Sequence, residues 1–158
     1  MSDYQSEYQF TLKNETATGI LASQLANIAK PRDVMALTGD LGAGKTAFAR
    51  AFIKARGGDG EVPSPTFTLV QVYQLSSINV YHFDLYRIER PEEIFELGIE
   101  DAFTDGISLI EWPDRMETFI PSERLDIILF DGSDENSREV NLVGYGDSWI
   151  NRLAKVFV

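Results

Sequence analysis

The run Gly39-Asp40-Leu41-Gly42-Ala43-Gly44-Lys45-Thr46 fits the pattern G-x-x-x-x-G-K-[ST] at every fixed position. Glycines at this spacing let the chain turn tightly and leave backbone N–H groups free to point inward at phosphate oxygens. Lys45 would reach the β and γ phosphates, and Thr46 would place its hydroxyl on Mg²⁺. A helix starting there would turn its positive end toward the anion. The chemistry is nucleoside triphosphate binding, with Leu41, Gly42, Ala43, Gly44, Lys45 and Thr46 as the binding set.

Such a loop needs an acidic residue to help hold the metal, usually at the carboxyl end of a neighbouring buried strand. Glu111 follows the apolar run Ile107-Ser108-Leu109-Ile110 and fills that place; the alternative is an ordinary acid at a strand end. Asp84 lies in another apolar run and shares a strand face with Val80, His82 and Tyr86 by the period of two. A carboxylate there is costly to bury unless paired or held by a cation, so Asp84 either orients an attacking water or contacts Mg²⁺, or makes a structural salt bridge. His82, the only histidine, reads as a hydrogen-bonded core or rim residue rather than a catalyst. Ser64 and Thr66 flank Pro65 after a Gly- and Pro-rich stretch. They read as a switch segment sensing a γ-phosphate or as a plain turn. Trp112 is either a surface aromatic for a partner or a rim residue.

The elements that must position these residues follow from hydrophobic periodicity. Val34 to Thr38 is a continuous apolar run, a strand buried on both faces, directly before the glycine loop. Phe48, Ala49, Ala51, Phe52 and Ala55 recur at helical spacing directly after it, and Gly57 is a helix stop. Upstream, Tyr8, Phe10 and Leu12 alternate as a short strand. Ile20, Leu21, Leu25 and Ile28 mark an amphipathic helix ended by Pro31. Downstream, the run from Gly57 to Pro65 reads as a moving loop. Thr66 to Leu75 and Asn79 to Arg87 read as an antiparallel hairpin, and Pro91 opens a short acidic helix through Leu97. Leu125 to Phe130 and Glu139 to Tyr145 are further strands around a polar turn, and Ser148 to Val158 is a helical tail. Pure alternation of strand and helix would give a doubly wound parallel sheet. The two hairpins imply instead an α/β fold, a single P-loop NTPase domain over 1–158, whose mixed sheet has a parallel centre, antiparallel hairpins and flanking helices.

The 158 residues suit one domain. Fourteen Lys and Arg against 25 Asp and Glu give a net charge of −11, which disfavours direct attraction to nucleic acid or an anionic membrane. Any contact with nucleic acid would go through a basic partner. The chain has no cysteine, which excludes a disulfide framework, thiolate metal sites and cysteine nucleophiles. No signal-peptide pattern opens the sequence and no apolar run is long enough to span a bilayer, so a cytoplasmic protein without a membrane role is expected. The acidic stretch from Glu92 to Asp105 is a docking face for a basic partner or only a solvated surface.

Four motifs in order, Gly39 to Thr46, Ser64-Pro65-Thr66-Phe67, His82-Phe83-Asp84-Leu85-Tyr86-Arg87 and Glu111-Trp112-Pro113, resemble those of the TsaE (YjeE) family of bacterial P-loop ATPases over nearly the full length. The resemblance implies ATP and Mg²⁺ as ligands. It also implies a role, with the TsaD and TsaB proteins, in forming threonylcarbamoyladenosine next to the tRNA anticodon, tRNA being reached only through those partners. It implies phosphate and metal binding by Lys45 and Thr46, metal binding by Glu111, support of hydrolysis by Thr66 and Asp84, and a place for Trp112 near the nucleotide. Other classes remain open. A small-molecule phosphotransferase would carry an arginine-rich lid, whereas Arg50 and Arg56 lie on the helix after the glycine loop and Arg87, Arg90, Arg115, Arg124 and Arg138 are scattered. A GTPase would carry an Asn-Lys-x-Asp segment, and none is present. A non-hydrolytic ATP-sensing module would share the same loop.

Overall fold

The computed structural model describes residues 5–40, 42, 44–58, 69–75 and 77–157. Seven strands form one mixed sheet: β1 (Gln5–Leu12), β2 (Val34–Thr38), β3 (Val70–Gln74), β4 (Asn79–Asp84), β5 (Ile107–Glu111), β6 (Arg124–Asp131) and β7 (Arg138–Tyr145). Their spatial order is β1-β7-β6-β2-β5-β4-β3. β2 runs parallel to both β5 and β6, and β4 runs parallel to β5. β3 pairs antiparallel with β4, β6 with β7, and β1 with β7. The parallel centre with antiparallel flanks is the arrangement that the two hairpins implied.

The helices are α1 (Glu15–Ile28), α2 (Lys45–Ala55), α3 (Ile99–Asp105) and α4 (Asp147–Val156). Asn14 caps α1, its side chain accepting the Ala17 N–H at 3.0 Å, with Glu15 in the first turn. One face of the sheet buries Met35, Leu37, Leu109, Ile127 and Leu142 against Leu25, Phe48, Phe52 and Trp149 of α1, α2 and α4. The opposite face of the β2-β5-β4 half buries Val34, Phe83 and Ile110 under Ile94, Ile99 and Met116. Two 3₁₀ segments, Pro91–Leu97 and Pro113–Phe119, complete that cover. Residues alternate between the two cores along β4 and β5, so odd and even positions have separate environments.

Expected and observed boundaries differ at several elements. β4 stops at Asp84 rather than Arg87, because the Asp84 side chain accepts the Tyr86 N–H at 3.0 Å and turns the chain out of the ladder. The acidic helix from Pro91 is 3₁₀, and Gly98, at φ 81°, separates it from α3, which the sequence reading did not resolve as an element. Of the strand expected over Thr66 to Leu75, Val70–Gln74 forms β3. The segment 59–68, with Ser64 and Thr66, lies outside the described residues, as do Leu41 and Ala43.

α4 sits so close to β7 that a Cβ on Gly144 would lie 2.7 Å from Leu153 Cδ1 and 3.1 Å from Trp149 Cβ. Gly144→Ala is therefore expected to destabilise the fold by about 1–3 kcal/mol through overpacking, seen as a lower denaturant midpoint with unchanged slope.

Candidate functional site

β2 ends at Thr38 and the chain returns into α2 at Lys45. Gly42 and Gly44 take φ of 84° and 103°, a region that other residues enter only with strain. Gly44 is the N-cap of α2 and supplies no side-chain hydrogen bond, and the first turn carries no acid. α1, by contrast, has both a capping Asn and an acid. Among the described residues the first N–H groups of α2 thus have no capping side chain and no acid of their own turn, the arrangement that leaves them for an external anion.

Lys45 is buried and donates through Nζ to the carbonyl oxygens of Gly39 and Asp40, the latter at 3.3 Å. The same ammonium lies 4.0 Å from the ring centroid of Trp112. Burial lowers its pKa, opposed by the charges of Glu111, Asp84, Asp40 and Asp114. Trp112 reaches this position through a left-handed backbone at φ 59°, immediately before Pro113, and also packs against Tyr86 at 4.9 Å between centroids.

Thr46 and Glu111, 65 residues apart, meet at the start of α2. The Thr46 hydroxyl lies 3.2 and 3.1 Å from the two carboxylate oxygens of Glu111. Glu111 Oε2 is also 2.7 Å from His82 Nε2. Asp84 sits opposite Glu111 in the parallel β4–β5 register, and His82 sits opposite Leu109. His82 is fully buried, Glu111 is 2 % exposed and Asp84 5 %. The sequence-picked Lys45, Thr46, Asp84, Glu111 and Trp112 therefore converge where the parallel strands end, the usual ligand edge of an open α/β sheet. A hydroxyl and a carboxylate are hard oxygen donors of the kind Mg²⁺ takes.

Arg138 was read as one of several scattered arginines. It opens β7, and its Nη2 donates to the Gly42 carbonyl at 3.2 Å while Nη1 donates to Ser137 O at 2.8 Å and Glu135 O at 3.1 Å. No local signal ties it to the glycine loop; only the adjacency of β6 and β2 brings the turn before β7 alongside. Two clefts border the loop. One, of about 370 Å³, includes Asp40, Trp112, Asp114, Phe130 and Asp131 in its wall. The other, of about 350 Å³ between α1, α2 and the β6–β7 turn, includes Gly44, Arg50, Lys54, Asn136 and Arg138.

The model of the family described as "Threonylcarbamoyl adenosine biosynthesis protein TsaE" matches residues 12–140, which span every described part of this site. The chain belongs to the TsaE family. Among its TsaE relatives, the tRNA threonylcarbamoyladenosine biosynthesis protein TsaE of Rickettsia felis is 43 % identical over 133 residues, covering 84 % of this chain and 77 % of the relative. The TsaE of Bacillus subtilis strain 168 is 38 % identical over 137 residues, covering 86 % and 85 %. The crystal structure of Bacillus subtilis YdiB superposes with a TM-score of 0.80 at 30 % identity, covering 96 % of this chain and 95 % of that one. The fold is that of P-loop NTPases.

Proposed function

We propose that the protein binds Mg²⁺-ATP at the start of α2 and hydrolyses it as an accessory factor in threonylcarbamoyladenosine formation on tRNA, acting in the cytoplasm with TsaD and TsaB. The observation that carries the reading is the meeting of Thr46 and Glu111 at an uncapped helix N-terminus beside a buried lysine. Lys45 exchanges its carbonyl contacts for the β and γ phosphates, while the backbone from Leu41 to Gly44 cradles them. Thr46 and Glu111 hold the metal, which when bound neutralises charge on the phosphate oxygens. When bound, the metal would take its protein oxygens from these two side chains.

Asp84, fixed at the strand end by the Tyr86 N–H, orients the attacking water, and Thr66 supports that step. The adenosine end lies in the cleft beside Gly44, whose wall sets Arg50, Lys54 and Arg138 against Glu15 and Glu135, whereas the other cleft carries Asp40, Asp114 and Asp131 with no cation to offset them. The net charge of −11 favours reaching tRNA through partners. Trp112, 4.0 Å from the Lys45 ammonium, would flank the phosphates that Lys45 binds.

Phosphate release from ATP, measured with and without TsaD and TsaB, tests this. Release that rises with the partners is expected, and its absence in every mixture contradicts the reading. Asp84→Ala is expected to keep ATP binding and to lower turnover by about 10²-fold or more. Equal turnover would remove Asp84 from the chemistry, and phosphate appearing on a metabolite would make the protein a phosphotransferase.

A further inference from the structure

Buried polar atoms are normally paired, and a position serving only the core is better filled by an apolar side chain. His82 departs from that rule. It is fully buried on β4, its Nε2 lies 2.7 Å from Glu111 Oε2, and its Nδ1 has no hydrogen-bond partner among the described residues. A carboxylate oxygen at this distance accepts, so Nε2 is the donor of the contact. The ring therefore forgoes one hydrogen bond to make one particular contact. That contact falls on the residue that also meets Thr46.

We propose that His82 is a positioning residue for the metal. Its Nε2–H takes up Oε2 of Glu111 and fixes the carboxylate plane, so that the Thr46 hydroxyl and Oε1 are held together at the start of α2. The inference rests on the Mg²⁺-nucleotide reading above and adds a residue to it. The register supports the role, because in the parallel β4–β5 ladder His82 lies two residues before the partner of Glu111, on the same face. Hydrogen bonds to the groups that ligate a metal orient them, and losing one commonly costs about 10–100-fold in metal affinity.

The test measures nucleotide affinity in EDTA and, separately, Mn²⁺ affinity of the ADP-bound protein by electron paramagnetic resonance. His82→Gln places an amide donor near Nε2, and His82→Asn places one near Nδ1, where it cannot reach Glu111. We expect His82→Asn and His82→Leu to bind nucleotide in EDTA as the wild type does while needing about tenfold more Mn²⁺, and His82→Gln to stay near the wild type. Wild-type Mn²⁺ affinity in His82→Asn, or equal weakness of Gln and Asn, overturns the proposal. The Gln and Asn variants decide the matter if His82→Leu does not fold. A wild-type protein that binds neither nucleotide in EDTA nor Mn²⁺ in the presence of ADP overturns the nucleotide reading as well. Loss of Mn²⁺ binding in Glu111→Gln alone overturns only the role of His82.

Discussion

Lys45→Ala is expected to lower ATP affinity by about 100-fold or more, to the point where calorimetry detects no binding. The ammonium is the one side-chain cation seated inside the described part of the loop, and two charge-assisted hydrogen bonds to phosphate contribute about 3 kcal/mol or more together. The fold should survive. In the free protein Lys45 is buried with a lowered pKa, so its charge opposes folding at neutral pH. The sign follows: between the lowered folded pKa and the ordinary 10.5, the unfolded chain holds more protons than the folded one, and stability contributed at this site rises with pH. Alanine removes that cost while leaving the Gly39 and Asp40 carbonyls to water. Unchanged ATP affinity in a folded Lys45→Ala variant would remove the glycine loop from nucleotide binding.

The largest stability effect is expected at the other end of β2. Asp33, which leads into that strand, accepts from Arg152 Nη1 at 2.7 Å and Nη2 at 2.9 Å, and Arg152 also donates to Ile28 O at 2.8 Å. Both side chains are about nine-tenths buried, and the guanidinium stacks on Trp149 at 3.9 Å. Arg152→Leu leaves a carboxylate buried without its cation and is expected to cost about 3–5 kcal/mol, or roughly 10 °C in melting temperature for a chain of this size. Asp33→Leu combined with Arg152→Leu should recover most of that loss, because an apolar pair replaces both charges. ATP affinity of the folded fraction should not change in either variant, since the pair lies at the opposite end of the strand from the glycine loop. A double variant as unstable as the single one would show that packing rather than charge sets the cost.

The unit at the centre of the fold was legible because its signals are local. Val34 to Leu37 is apolar throughout, the glycines of the loop need positive φ, and Phe48, Ala49 and Phe52 keep helical spacing in α2. Glu111 was legible for a similar reason, as an acid closing an apolar run. What the sequence hides is which strands become neighbours. His82 reads as an ordinary strand histidine until β4 and β5 are paired and Glu111 arrives beside it. Arg138 is one arginine among several until β7 sits next to β6, which sits next to β2. The end of β4 and the break at Gly98 depended on a side chain capturing a backbone N–H and on a single left-handed residue. Hydrophobic pattern registers neither.

The order of the sheet also governs when the site comes into being during synthesis. β2 emerges early, yet both strands that flank it, β5 and β6, come from the second half of the chain. Among the described strands, β1, the first made, pairs with β7, the last, and with no other. Contacts so distant along the chain form slowly, because the intervening loops must close before the pairings repay them. A nascent chain therefore carries the complete glycine loop long before it has a seat for it, and the proposed nucleotide site is completed late, after β6 and β7 have left the ribosome.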